Sequence, residues 1–242
     1  MEPVSAARLF CGSLVSLVAP LYCVLCGEPT EPAALGASRG PLCQACADAL
    51  LSGIRVGERC STCGKPLVSE SGRCMRCRGV EYRFDSAYPL FRYSGDARAL
   101  ILAYKSGARR SLAPFFARIL AAALRERYPG RVVVPVPPRP GKLRRKGWDQ
   151  VDDIARILER RHGVLVRRIL ERTAGAEQKA LDLRGRAANL QGRIRVRRGA
   201  VIPEDPILLD DVLTTGATLS ECASTLKSAG ALRVDALAIG AD

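Results

Sequence analysis

Two sets of residues in this sequence have the types and spacing to do chemistry. The first is Asp210-Asp211-Val212-Leu213-Thr214-Thr215-Gly216-Ala217-Thr218, which follows the strand-type run 207–209. Two adjacent carboxylates stop an apolar run, a turn rich in Thr and Gly follows, and helical spacing resumes through Leu219, Cys222 and Leu226. Such a strand, turn and helix start sits in the crevice at the carboxyl end of a parallel sheet, where loop N–H groups and a positive helix end meet a phosphate. The acids cannot serve that phosphate, because like charges repel. Their natural partners are neutral donors beside it, such as the vicinal hydroxyls of a ribose. A helix cap would need only one of these residues, whereas the stretch supplies two acids, three threonines and a glycine. A sugar phosphate fits both halves.

The second set is eight cysteines in four Cys-x-x-Cys pairs: Cys23/Cys26, Cys43/Cys46, Cys60/Cys63 and Cys74/Cys77. Each pair makes a tight knuckle that offers two sulfurs to one ion. Two knuckles complete the tetrahedral thiolate site zinc prefers where no open coordination position is needed. Four knuckles predict two structural zinc ions. Chain order suggests that the first two pairs share one ion and the last two the other, with interleaved pairing left open. Gly27 and Gly64, directly after two of the pairs, suit the turn that lets N–H groups face the sulfurs. Cys11 and Cys222 lie outside the pattern and read as buried apolar residues. This cysteine usage belongs to a reducing compartment, so the expected location is cytoplasmic. The apolar stretch 9–25 contains Pro20, runs into the first pair without a convincing cleavage site and is short for a membrane span. It reads as a short amphipathic helix packed on the ribbon, with no membrane span expected.

The chain has 242 residues, 48% of them hydrophobic, enough for one large domain or two smaller ones. Its formal net charge of +14 points to polyanionic partners or phosphate ligands. Residues 1–80 hold eight Lys/Arg against six Asp/Glu, a net +2, whereas residues 139–198 hold 18 against seven, a net +11. The basic character is therefore one segment. Two zinc ions on eight thiolates would take the amino-terminal module from +2 to about −2, making it a poor polyanion binder by itself.

Positioning these residues falls to alternating strands and helices. The ribbon module ends near residue 80, giving modules 1–80 and 81–242. Residues 84–93 read as a strand, and a helix capped at Ser94 ends at Lys105, which either complements the helix terminus or reaches a ligand. A second helix over 112–127 stops at Pro129-Gly130. Residues 131–136 form a short β-branched strand, buried on both faces, that runs into a proline-stiffened basic loop, 137–146. That loop is either a solvated charge run or a pyrophosphate cradle. Gly147-Trp148-Asp149-Gln150 leads into a helix through Val151, Ile154, Ala155 and Leu158. Residues 171–192 form a polar loop long enough for a lid or binding loop. Arg193, Arg195 and Arg197 fall on one face of a strand pair that returns to the sheet, and 234–239 is the last strand.

Residues 207–218 resemble the phosphoribosyl pyrophosphate motif of type I phosphoribosyltransferases. The resemblance implies that Asp210 and Asp211 hold the ribose hydroxyls and that Thr214, Thr215, Gly216 and Thr218 wrap the 5-phosphate. It also implies that the basic loop binds the pyrophosphate, for which Arg139 and Lys142 are the candidates; Lys105 completes the expected ligand contacts. Taken with the four Cys pairs, the Lys-ended helix, the Pro-Val-Pro strand end and the Gly-aromatic-x-Gln turn, the chain resembles the ComF family over nearly its whole length. It departs from that pattern at Trp148, where Phe is common, and at Asp149, where Asn is common. Arg172, Gln178, Leu181, Arg186 and Asn189 match the order in ComF relatives of a region that closes over the reacting centre in phosphoribosyltransferases.

The expected fold class is α/β: a type I phosphoribosyltransferase-like, mostly parallel sheet flanked by helices, with an N-terminal double zinc ribbon. The resemblance implies a part in DNA uptake and natural transformation, binding of phosphoribosyl pyrophosphate with magnesium, and transfer to an unidentified acceptor. The alternative is a non-enzymatic competence factor that binds single-stranded DNA through 139–198, alongside a competence helicase or recombination proteins.

Overall fold

The computed structural model describes residues 21–30, 42–55, 57–173 and 192–242. Most of the stretch 9–25, Cys11, and the loop residues Gln178, Leu181, Arg186 and Asn189 lie outside the described residues. Within that stretch, Leu21–Tyr22 is a strand (β1), not helix, and it pairs antiparallel with Pro29–Thr30 (β2) around the first knuckle. The pairing is dictated by the turn the two cysteines make: Cys23 N donates to Glu28 O at 2.8 Å and Gly27 N to Cys23 O at 3.0 Å. Helix α1 (Gln44–Ser52) grows from the second knuckle, and α2 (Met75–Gly79) from the fourth.

The main sheet contains β3 (Ser86–Arg92), β4 (Val133–Pro135), β7 (Ile207–Leu213) and β8 (Asp235–Ala241), in the order β3-β8-β7-β4. All three pairings are parallel, so Arg92, Pro135, Leu213 and Ala241 end on one edge. Alternation along β7 sorts the core. Ile207 and Leu209 join the apolar cluster of α3 (Gly95–Lys105), α4 (Ala113–Arg127) and α6 (Gln150–His162), while Leu208 joins that of α7 (Ala217–Ser228). Helices therefore cover both faces, and the strands between them are apolar on both, as the β-branched run 131–136 predicts.

Three expectations need correction. Strand β7 does not stop at the two acids but continues to Leu213, because backbone pairing with β8 runs on to Leu213↔Ala241 whatever the side chains. Lys142–Lys146 is not loop but a short helix, α5, held between Gly141 and Gly147. The arginine strand β6 (Ile194–Val196) does not return to the main sheet; it pairs antiparallel with β5 (Leu170–Arg172), so Glu171 and Arg172 belong to a strand and not to the polar loop.

Both edges of the main sheet are covered. Residues 165–167 lie along β4, with Val133 N donating to Leu165 O and Arg167 N to Val133 O. The third knuckle covers β3: Ala87 N donates to Thr62 O at 2.8 Å. Arg59 of the same knuckle donates to Pro89 O at 2.8 Å and to Gly64 O at 2.9 Å. Contact is so close that a Cβ at Gly64 would stand 2.2 Å from Ala87 O, which fixes glycine there for reasons beyond its φ of +69°. An uncovered parallel edge would be a template for aggregation, so the ribbon protects the sheet it adjoins.

Candidate functional site

The cysteines converge as chain order suggested. Cys23, Cys26, Cys43 and Cys46 form one group, and Cys60, Cys63, Cys74 and Cys77 the other, with all sulfurs of a group within 4.8 Å of one another. The Cys26–Cys43 and Cys63–Cys74 sulfur distances are 3.7 and 3.8 Å. A tetrahedron with zinc–sulfur arms of about 2.3 Å has edges of about 3.8 Å, so both groups fit zinc without rearrangement. Backbone N–H groups face the sulfurs, as Cys74 N does toward Cys60 Sγ at 3.3 Å. Four thiolates close the coordination shell, so these zinc sites are structural. The second group is buried throughout, whereas Cys26 of the first is exposed.

At the carboxyl edge, β7 delivers its two acids to opposite faces. Asp211 points toward α3 and α6: its Oδ2 lies 2.9 Å from Lys105 Nζ and accepts from Gln150 Nε2. Asp210 falls on the other face, where its field reaches Cys222 of α7 and Arg172 of β5. Two acids in sequence thus acquire different chemistry. Burial, followed by the adjacent Asp211 charge, pushes the Asp210 carboxyl well above the ordinary range. Burial would also raise Asp211, but the Lys105 ammonium and the Gln150 amide outweigh it and hold that carboxyl low. The two neighbouring carboxyls are thus shifted in opposite directions, Asp210 up and Asp211 down.

Cations stand on both sides. Lys142 Nζ contacts Asp149 Oδ2 at 2.6 Å and Gln150 Oε1, and Lys146 Nζ donates to the Lys105 carbonyl. Gln150 thus bridges the basic helix α5 to Asp211, a role the sequence signalled only as the last residue of the Gly-aromatic-x-Gln turn. Asp149, where the resemblance leads one to expect an amide, caps α6 by accepting from Val151 N and Asp152 N and also binds Lys142. On the Asp210 side, Arg139 and Arg193 press on Arg172, whose guanidinium is held below its usual value first by burial and then by the Arg139 charge. None of these three arginines forms an ion pair among the described residues, so the Asp210 side of the edge is cationic.

The turn 214–216 lies between β7 and α7, and Thr218 stands in the first turn of α7. Gly216 has φ +78°, and a Cβ there would meet Tyr82 Cε1 at 2.4 Å. Tyr82 was not singled out by the sequence, and its spacing carried no signal. We expect Gly216→Ala to destabilise the fold by about 1–3 kcal/mol, from left-handed strain plus displacement of the Tyr82 ring. Thermal melting checks this, with a loss of about 2–4 °C per kcal/mol expected; an unchanged midpoint would contradict the account.

Residues 14–78 match the double zinc ribbon domain. Competence protein ComFC of Streptococcus pneumoniae is 26% identical over 225 residues, covering 87% of this chain and 96% of that protein. DNA utilization protein YhgH of Salmonella typhimurium is 29% identical over 227 residues, 90% of this chain and 96% of that protein. Competence protein F of Haemophilus influenzae is 25% identical, over 71% of this chain and 79% of that protein. Among solved structures, the glutamine phosphoribosylpyrophosphate amidotransferase from B. subtilis aligns with a TM-score of 0.37 at 18% identity, over 54% of this chain and only 26% of that one. A hypoxanthine phosphoribosyltransferase from Staphylococcus aureus gives 0.34 at 14%, over 53% of this chain and 62% of that one. The chain is thus similar over most of its length to competence proteins of the ComF type, and its double zinc ribbon is joined to an α/β domain with a parallel sheet.

Proposed function

We propose that the carboxyl edge of the sheet binds phosphoribosyl pyrophosphate with magnesium, in a cytoplasmic protein that serves DNA uptake and transformation. The observation that carries this reading is the acid pair set between two groups of cations, Lys105, Lys142 and Lys146 on one side and Arg139, Arg172 and Arg193 on the other. Ribose hydroxyls donate to Asp210 and Asp211, the stretch 214–218 takes the 5-phosphate, and the flanking cations take the pyrophosphate. Among the described residues only the cysteines form a metal-ligating group of three or more, so magnesium would be held chiefly by the ligand's own phosphates and at most one or two carboxylates. Bound there, magnesium would neutralise charge that develops on a departing pyrophosphate. Lys142 must exchange Asp149 and Gln150 for the ligand, an exchange the anion favours by its greater charge.

Calorimetry with phosphoribosyl pyrophosphate and magnesium tests the pocket; saturable heat is expected, and its absence at millimolar ligand would sink the assignment. The sign of its pH dependence follows from Asp210. A hydroxyl donor favours the ionised carboxyl, and the free protein holds that carboxyl protonated to higher pH than usual. Affinity should therefore rise as pH rises through the raised Asp210 value, with protons released on binding. Titrations in two buffers of different ionisation heat measure that release, and Asp210→Asn should abolish it.

A second reading, non-enzymatic binding of single-stranded DNA, is favoured by the exposed arginines of the basic segment: Arg139, Arg144, Arg145, Arg160, Arg161 and Arg195 all face solvent. Trp148, its sole aromatic residue, is only 9% exposed and is flanked by Lys146 at 4.1 Å and Arg110 at 5.4 Å, so it offers no stacking platform. Binding through this segment would rest on phosphate contacts. The logarithm of affinity should then fall linearly with log salt, by about 0.7 per neutralised phosphate. A flat salt profile would exclude this mechanism.

A further inference from the structure

Among the described residues, Asp149 is the one carboxylate that binds a cation of the basic helix α5. It is buried, and both of its oxygens are committed. Oδ1 accepts from Val151 N and Asp152 N, each at 3.0 Å, which fixes the side chain as the cap of α6, and Oδ2 lies 2.6 Å from Lys142 Nζ. Gln150 Oε1 accepts from the same ammonium, and the other end of that amide donates to Asp211. We infer that Asp149 is a positioning residue that serves as an internal counter-ion for Lys142, so that sugar monophosphates leave this contact closed and only a pyrophosphate group opens it. The inference rests on the ribose-phosphate reading and adds to it how the edge discriminates among phosphate esters.

The contact is placed to govern α5. That helix buries no residue, Leu143 on it is exposed, and it runs between two glycines in the left-handed region, Gly141 at φ +76° and Gly147 at φ +75°. Its polar side-chain contacts among the described residues are made by two lysine tips. Lys142 binds Asp149 and Gln150, while Lys146 donates to the Lys105 carbonyl and stands 4.1 Å from the centre of the Trp148 ring. These cations also crowd one another: Lys146 is held below its usual value first by burial and then by the Lys142 charge. The Asp149 carboxylate offsets that repulsion in the free protein. Without it, the same lysines would hold an incoming anion more tightly.

Discrimination then follows from how many anionic groups a ligand brings. Ribose 5-phosphate has one, which the stretch 214–218 takes, and its hydroxyls go to the acid pair, so nothing remains to compete for Lys142. Phosphoribosyl pyrophosphate brings a second group of greater charge than a carboxylate, and that group exchanges with Asp149 at the ammonium. The broken contact and the carboxylate charge left nearby both oppose its binding. Because the Lys142 and Asp149 side chains are only 23% and 2% exposed, solvent and salt screen that opposition little.

The test uses the full, zinc-loaded chain with magnesium, titrated by calorimetry with phosphoribosyl pyrophosphate and, in a separate arm, with ribose 5-phosphate. Asp149→Asn removes the charge but keeps a capping oxygen for Val151 N and Asp152 N, and melting checks that the fold is retained. The expected result is a Kd for phosphoribosyl pyrophosphate at least tenfold lower in the variant, with ribose 5-phosphate changed less than twofold or too weak to measure in both forms. The tenfold gain should vanish when Asp149→Asn is introduced into a Lys142→Met background. Simple damage to the site would instead weaken both ligands. An unchanged or poorer affinity for phosphoribosyl pyrophosphate in Asp149→Asn, an equal gain for both ligands, or a gain that survives without Lys142 overturns the inference and leaves the ribose-phosphate reading standing. If the unaltered protein does not bind phosphoribosyl pyrophosphate, both fall. Should Asp149→Asn fail to fold, Asp149→Ser, which also caps a helix without a charge, carries the same expectations.

Discussion

Cys77→Ser should lower the zinc content from two ions to about one per chain and leave little soluble, folded protein. Cys77 is fully buried in a site whose four ligands are all buried, and that site holds the knuckle lying along β3. Structural four-ligand zinc sites contribute on the order of 10–16 kcal/mol of apparent binding energy, comparable to the whole stability of about 5–15 kcal/mol of an ordinary domain. Losing the knuckle also frees Ala87 N and the Pro89 carbonyl that Arg59 caps, exposing an unpaired edge. The damage should therefore spread from the ribbon to the parallel sheet. Cys26→Ser, at the exposed margin of the first site, should be milder and should leave the β3 edge covered. Metal analysis, melting and light scattering on both variants test the asymmetry. Two zinc ions and an unchanged midpoint in Cys77→Ser would refute the structural role assigned to that site.

Replacing the acids one at a time should weaken ligand binding in both cases but move stability in opposite directions. Each change turns a charge-assisted hydrogen bond to a ribose hydroxyl into a neutral one. At about 1.5–3 kcal/mol for a bond to a charged group, Kd should rise by about 10- to 100-fold. In the free protein the two sites differ. Asp211 is held low by Lys105 and Gln150 against the pull of burial, so its folded value lies below its unfolded one. Its stabilising contribution is present above the ordinary carboxylate range and is lost as pH falls through the depressed value. Asp211→Asn should thus destabilise at neutral pH, though modestly, because Lys105 remains 42% exposed and solvent screens the pair. Asp210 is raised by burial and by Asp211, so ionising it costs folded stability at neutral pH, and Asp210→Asn should leave the midpoint unchanged or higher. Melting and calorimetry on the two variants decide the matter: equal losses of stability would show that the acids are not differentiated as described.

The zinc sites were legible because cysteine chemistry is local. A Cys-x-x-Cys turn makes its own geometry, so spacing alone announced two four-thiolate groups, while the pairing, which chain order suggested with interleaving left open, is decided by the fold. The strand, acid pair, Thr/Gly turn and helix were legible for the same reason, since each is specified by neighbours in sequence. Less was readable where backbone pairing or distant packing decides. The end of β7 follows its partner strand and not its own side chains, and the arginine strand found β5 instead of the main sheet because Leu170↔Val196 and Arg172↔Ile194 satisfy it there.

By itself the sequence determined which residues could act: eight thiolates for zinc, two acids and a Thr/Gly turn for a sugar phosphate, and one basic segment. Tertiary structure alone decided how they differ in use. Strand alternation sends Asp210 and Asp211 to opposite faces, and residues 61 and 106 positions away then set their protonation, Gln150 and Lys105 holding Asp211 ionised through contacts no local pattern encodes. Packing likewise pressed Tyr82 onto Gly216 and docked a zinc knuckle along a sheet edge. The physical reason is one of range. Metal knuckles and turns are fixed by bonds along the chain, whereas charge, burial and close approach depend on what the fold brings near.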